Sequence, residues 1–325
     1  MSPSPNPSRI VCAGILVADL FVPPLAALPE AGQLLATDDF LLTTGGCAAN
    51  VAADLARLGT PSTVVGPVGR DFFGGFVVDE LAAQGIDTSR IVRTDAAGTS
   101  KTVVLPVVGQ DRRFIHTFGA NAHLTADHVA AALTPDTHIL YVGGYLILPA
   151  IDGPSLGALL RDARARGIVT VLDVVVPSGA AVPPDALSAV LPHVDLFLPN
   201  DEEAAALTGE RDPRRQADAF LAWGCGAAVV TQGAHGTLWA TRERLLEAPV
   251  YPIDYVDGSG SGDAFAAGVL VGLSEGWDPA TILRFASAVG ASACTRLGCT
   301  TGVFTRPEAD AFVAARPLVV RESPR

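Results

Sequence analysis

The chain has 325 residues, 49% hydrophobic and 17% charged, with 22 Lys and Arg against 34 Asp and Glu. That length and apolar content suffice for one large core, and the net charge of −12 argues against nucleic acid or an anionic membrane surface as the main partner, because both need clustered cations. Five scattered cysteines (Cys12, Cys47, Cys225, Cys294, Cys299) without a Cys-x-x-Cys pair suggest neither a disulfide framework nor a zinc site, and suit a cytoplasmic location.

Residues 1–8 are rich in Ser and Pro and lack the basic start and apolar centre of a signal peptide; they read as a disordered tail. No uncharged run reaches the roughly 18 apolar residues of a membrane span. The continuous apolar run Ile10 to Leu16 predicts a buried strand, and Asp19 follows it as either a turn residue or an acceptor for vicinal hydroxyls. Leu34 to Thr44 reads as extended. Gly45-Gly46-Cys47-Ala48-Ala49-Asn50 then opens a helix over Ala48–Leu58, with Val51, Leu55 and Leu58 at helical spacing. Paired glycines permit close approach of a ligand, and Asn50 is either a cap or a partner for a sugar hydroxyl.

A strand over Thr63–Val68 and a helix over Phe73–Gln84 come next. Thr99 to Thr117, turning at Gly109-Gln110-Asp111-Arg112, predicts a hairpin. It contains Lys101, the only lysine, so a Gly-Lys-Ser/Thr phosphate loop is excluded and lysine Schiff-base chemistry has no pocket residue to use. Strands are expected at Ile139–Val142, Val169–Val175, Leu196–Leu198 and Ala227–Thr231, alternating with helices such as Ser155–Arg166. That rhythm predicts one doubly wound α/β fold with a mostly parallel central sheet, and the two extended stretches predict a small β-sheet lid over the carboxyl ends of its strands.

The run Asp257-Gly258-Ser259-Gly260-Ser261-Gly262-Asp263 leads into an apolar helix over Asp263–Leu273, followed by another over Ala280–Cys294. Glycines at a helix start let free amides converge on an anion, and Asp263 would face a hydroxyl meeting that anion as a general base. A Gly/Ser turn capped by Asp is the plain alternative. No Gly-x-Gly-x-x-Gly fingerprint follows the first strand, which counts against a dinucleotide-dependent oxidoreductase.

From about Ile10 to Phe312 these elements resemble the ribokinase-like (PfkB) family of carbohydrate kinases. GGCAANVAADLARLG is similar to the family's first signature and DGSGSGDAFAAGVLVGL to its second; Asn200-Asp201-Glu202-Glu203 resembles its N-x-x-E motif, and Thr231-Gln232-Gly233-Ala234-His235-Gly236 its nucleotide-side loop. The resemblance implies ATP-dependent phosphorylation of a primary hydroxyl of a small sugar or polyol, with Asp263 as base and the amides of Gly260, Ser261 and Gly262 as anion hole. It implies sugar contacts from Asp19, Gly45, Gly46 and Asn50, and nucleotide contacts from Thr231, Gly233, Gly236 and Ser287. Asn200 and Glu203 would orient magnesium through water, and Asp257 and Ser259 mark a monovalent cation site, potassium being the candidate.

The expected organisation is a ribokinase-like domain over residues 9–315, lid segments at about 17–44 and 98–118, and a C-terminal tail at 316–325. The lid could also serve as a homodimer interface. Cys47 stands where many ribokinases carry lysine, Gly258 replaces the second-signature threonine, and Ser287 an asparagine. The strand end Tyr141-Val142-Gly143-Gly144-Tyr145 lacks the acid that ribokinases place near the sugar, which disfavours ribose. Arg112, Arg113 and His116 in the lid could meet an acidic or phosphorylated sugar. A nucleoside kinase and a non-catalytic sugar or nucleotide sensor remain the alternatives.

Overall fold

The computed structural model describes residues 10–110, 113–176, 182 and 186–325; the expected tail at 1–8 and the turn residues Asp111 and Arg112 lie outside them. In chain order the first half carries β1 (Ile10–Gly14), β2 (Val17–Phe21), β3 (Leu41–Gly45), α1 (Cys47–Arg57), β4 (Ser62–Val65), β5 (Pro67–Gly69), α2 (Phe72–Ala83), β6 (Val92–Thr94), β7 (Ser100–Leu105), β8 (Arg113–Thr117) and α3 (Ala126–Ala130). The second half carries β9 (Ile139–Gly143), α4 (Gly153–Ala165), β10 (Val169–Leu172), β11 (Leu196–Phe197), α5 (Asp201–Thr208), α6 (Pro213–Ala222), β12 (Ala227–Thr231), β13 (Thr237–Ala240), β14 (Arg244–Ala248), α7 (Ser261–Ser274), α8 (Pro279–Ala293), α9 (Arg306–Ala315) and β15 (Arg321–Pro324).

The main sheet runs β15-β14-β13-β12-β11-β10-β9-β1-β4. From β4 to β12 its pairs are parallel, and β13 to β15 extend it antiparallel. Alternate residues of one strand feed opposite cores: Ile10, Cys12, Ile139 and Tyr141 pack on one side, with α1, α2, α7 and α8. Val11, Ala13, Leu140 and Val142 pack on the other, with α4 and α6. Helical cover on both faces is why these strands read as unbroken apolar runs. This is the expected doubly wound architecture.

A separate four-stranded sheet, β3-β2-β7-β8, forms the expected small lid sheet; β2 and β7 pair parallel, and its outer pairs are antiparallel. Asn121 fixes its root, since its side chain bonds both the N–H and the carbonyl of Leu16 at 3.0 and 2.9 Å, just before β2. Two expectations are corrected. Only Leu41–Gly45 of the expected extended stretch is a strand; Gln33, Leu34 and Leu35 are exposed and pair with no strand. The expected tail at 316–325 carries β15, which pairs with β14 at the sheet edge.

α7 is buried from Ala264 to Gly272 because it is sandwiched in the core, and it packs tightly on α8: a Cβ on Gly268 would meet the Ala286 backbone. Its N-terminus is thereby fixed at the carboxyl ends of the parallel strands.

Candidate active site

Parallel strands deliver their last residues to one edge of the sheet, where α/β folds bind ligands. Here Asp173 follows β10, Asn200 follows β11 and Thr231 ends β12, while the first turns of α1 and α7 supply Cys47 and Asp263. These residues, with Glu203, Gly260 and Gly262, line a cavity of about 210 Å³.

Asp263 is the hub. It lies in the first turn of α7 and accepts a 2.8 Å hydrogen bond from Asn50 Nδ2 on α1. Burial raises its pKa, and the bonds from Asn50 and the Cys47 thiol pull it partly back. Cys47 Sγ and carboxylate oxygens of Asp173 and Asp263 lie within 4.8 Å of one another. Burial, followed by the charge of Asp263, lifts the Cys47 pKa far above the usual thiol range, so the group stays a thiol and donates to Asp263.

Asp173 accepts a 2.9 Å bond from the Tyr141 hydroxyl. Burial and the nearby Glu203 and Asp263 charges push its pKa well above the carboxylate range. Burial likewise pushes Glu203 up to about 7, against the opposing amides of Asn200 and Val176. Asn200 and Glu203 form a reciprocal capping box on α5: Glu203 N donates to Asn200 Oδ1 at 2.8 Å, and Asn200 N donates to Glu203 Oε2 at 3.0 Å. Both side chains are therefore fixed at the cavity wall before any ligand arrives.

Of the expected anion-hole residues, Gly260 and Gly262 line the cavity. Ser261 does not, since its N–H and hydroxyl both donate to Gly258 O, at 3.3 and 3.0 Å. Asp257 is buried behind the loop, where its carboxylate accepts from the N–H and hydroxyl of Ser259 and from Gly298 N. Thr231 lines the cavity and its N–H donates to Pro199 O, beside Asn200. Gly233, Gly236 and Ser287 lie outside the cavity lining; the first two shape the turn between β12 and β13, and Ser287 is a half-buried residue of α8.

Towards the lid, Gly46 caps α1 and Asp19 sits on β2 opposite Thr43, the middle of β3. A Cβ on Gly45 would coincide with the Asp19 carboxylate, so the glycine is what makes room for the acid. Asp19 is only 7% exposed. Burial and the charge of Asp263 push its pKa up to about 6, against the Thr102 hydroxyl. A carboxyl whose folded pKa exceeds the unfolded value near 4 favours folding only while protonated, so its benefit is lost as pH rises from about 4 through about 6. The full rise corresponds to about 3 kcal/mol. Asp19→Asn is therefore expected to raise the thermal midpoint by several degrees at neutral pH, with the two proteins converging towards pH 4; equal midpoints at neutral pH would count against the cost of burying the carboxylate.

In the lid, Arg113 is exposed and bonded to Gln110, and His116 Nδ1 meets the Thr102 hydroxyl at 3.0 Å. Arg112 falls outside the described residues. Lys101 donates to Thr99 O and sits over the Phe73 ring, outside the cavity lining.

Sequence reasoning did not single out Asp173, Tyr141 or Cys47 as members of this site. Asp173 had a usable signal, an acid directly after a buried parallel strand. It follows the strand next to β9 and is bonded to Tyr141 of the strand end at 141–145. Tyr141 had none, since it reads as one more apolar strand residue.

A family model described as pfkB family carbohydrate kinase matches residues 7–306. Ribokinase from Bacillus subtilis is 27% identical over 288 residues, spanning 88% of this chain and 93% of its own. 2-Dehydro-3-deoxygluconokinase from the same organism is 28% identical over 305 residues, spanning 89% and 92%. The crystal structure of fructokinase with bound ATP from Xylella fastidiosa superimposes with a TM-score of 0.81 at 28% identity, covering 95% of this chain and 99% of that one. Relatives named for three different sugars thus stand at nearly equal distance.

Proposed function

Because the chain belongs to the pfkB family of carbohydrate kinases, we propose that this phosphotransferase moves a phosphoryl group from ATP to a primary hydroxyl of a small sugar or sugar-like polyol, with Asp263 as general base. The observation that carries this reading is the Asp263 carboxylate, held by Asn50 in the first turn of α7 and facing a cavity shared with Gly260 and Gly262. A base in that place takes the hydroxyl proton while the helix N-terminus and its free amides favour the anion opposite. Asp19 and Asn50 would hold sugar hydroxyls, beside Gly45 and Gly46, and Thr231, Gly233, Gly236 and Ser287 would border the nucleotide. The bound ATP of the fructokinase structure supports that nucleotide choice.

Magnesium suits the donor set. Asp173, Glu203 and Asp263 present hard oxygens to one cavity, the Asp263 charge raises the pKa of the other two, and no Lys or Arg lines it among the described residues. Since the capping box already uses Asn200 Oδ1 and Glu203 Oε2, both residues would hold the ion through water, in keeping with its preference for retaining its hydration shell. When bound, it neutralises phosphate charge. A potassium role for Asp257 and Ser259 rests on the motif's resemblance. The exposed apolar residues Leu41, Phe114 and Ile115 support the lid as a homodimer surface. Five free cysteines suit a cytoplasmic location.

A coupled assay of ADP formation over a panel of sugars, polyols and nucleosides tests the proposal. Magnesium-dependent turnover with a sugar or polyol is the expected result. Turnover with nucleosides alone would replace the acceptor class, and saturable binding without turnover would make the protein a sensor.

A further inference from the structure

Helix α1 carries a second acid that the proposed chemistry leaves unused. Asp54 is 0% exposed, and both its carboxyl oxygens lack a hydrogen-bond partner. One turn earlier on the same helix, Asn50 is 3% exposed and its Oδ1 is also without a partner, while its Nδ2 makes the 2.8 Å bond to Asp263. Residues four apart are neighbours on one helix face. Three buried acceptor atoms thus stand beside the base with no donor among the described residues.

A buried carboxylate without donors is far more costly than the neutral acid, and the acid brings a donor of its own. Of the charged groups around Asp54, Asp263 favours the proton and Arg57 opposes it, and burial outweighs both. Asp263 on α7 adds negative charge, the Cys299 thiol after α8 is near enough to feel the Asp54 charge, and Arg57 on α1 turns its Nε to Val303 O at 2.8 Å. Burial, then the Asp263 charge, moves the Asp54 pKa well above the carboxylate range.

We propose that Asp54 is a positioning residue for the base: as the neutral acid it gives its proton to Asn50 Oδ1, directly or across one enclosed water, and so fixes which end of the Asn50 amide faces Asp263. An amide turned the other way would set Oδ1 against the Asp263 carboxylate. The inference rests on the proposed role of Asp263, but not on the identity of the acceptor.

The test compares Asp54→Asn, which keeps a neutral donor, with Asp54→Ala and Asp54→Val, which do not. In the pH profile of kcat, the acid limb is expected to move up by about one pH unit in the Ala and Val proteins, a tenfold loss below the limb. The KM for ATP should stay unchanged, and Asp54→Asn should follow the wild type. Independently of turnover, the infrared difference between wild type and Asp54→Asn at neutral pH should contain one protonated-carboxyl stretch. The Asn50 side-chain amide resonances should move in Asp54→Ala but stay near wild type in Asp54→Asn. An unmoved acid limb in Asp54→Ala, an Asn protein that behaves like the Ala protein, or a difference spectrum showing carboxylate would overturn the proposal. If no acceptor is turned over, the kinase reading fails while the infrared and resonance readouts still decide the state of Asp54.

Discussion

Asp263→Asn is expected to lower phosphoryl transfer by roughly 10³-fold or more, the scale of a lost general base, while nucleotide affinity changes only a few fold. The separation follows from the geometry. Asn is the same size as Asp, and its Oδ1 can still accept the 2.8 Å bond from Asn50 Nδ2, so the first turn of α7 keeps its place. The amides of the loop and the cavity wall from Asn200 to Thr231 are untouched. What disappears is the carboxylate proposed to take the hydroxyl proton. Because burial raises the Asp263 pKa in the wild type, the acid limb of the wild-type profile should lie above the ordinary aspartate value. The residual activity of the variant should lack that limb. Calorimetry of ATP binding beside steady-state kinetics provides both readouts. Turnover near the wild-type level would remove Asp263 from the role of base, and a parallel collapse of ATP affinity would mean that the substitution had disturbed the loop.

Much of this architecture could be read from residue order because each parallel strand is covered on both sides, so Ile10–Gly14, Ile139–Gly143 and Ala227–Thr231 announce themselves as apolar runs. The Asp257–Asp263 loop was equally legible as a glycine-rich run opening an apolar helix, and of its glycines Gly260 makes the close backbone approach, to Cys299. Other features were set by tertiary contacts that local pattern does not encode. Leu34 to Phe40 has strand-like composition in part but no neighbouring strand to pair with, and β15 exists because β14 offers it an edge. Within the site, Asn200-x-x-Glu203 has the spacing of a capping box as well as of a metal motif, and the structure uses it as the former. Asp173 belongs to the cavity only because β10 lies beside β9 and β11, a neighbourhood fixed by crossovers far away in sequence.

Gly260→Ala is expected to damage activity almost as severely, through the backbone alone. Gly260 precedes α7 with φ 73 and ψ 0, a left-handed conformation that costs an L-residue about 1–2 kcal/mol. A Cβ there would also run into the backbone of Cys299, which has no flexible end to swing aside. The loop must therefore retreat from the Cys299 segment, carrying the amides at the start of α7 away from the phosphoryl position. Loss of one preorganised donor in such a site is worth roughly 10²–10³-fold in kcat, and a lower thermal midpoint should accompany it. Gly262→Ala separates the two effects, because its Cβ would meet nothing within 4 Å and its φ is not positive. It should match or exceed wild-type stability, as alanine is the better helix former. Gly260→Asn relieves part of the left-handed penalty but keeps the Cβ, so it should recover little. Wild-type turnover and midpoint in Gly260→Ala would show that the loop has another way to approach Cys299, and that the anion cradle does not depend on this close packing.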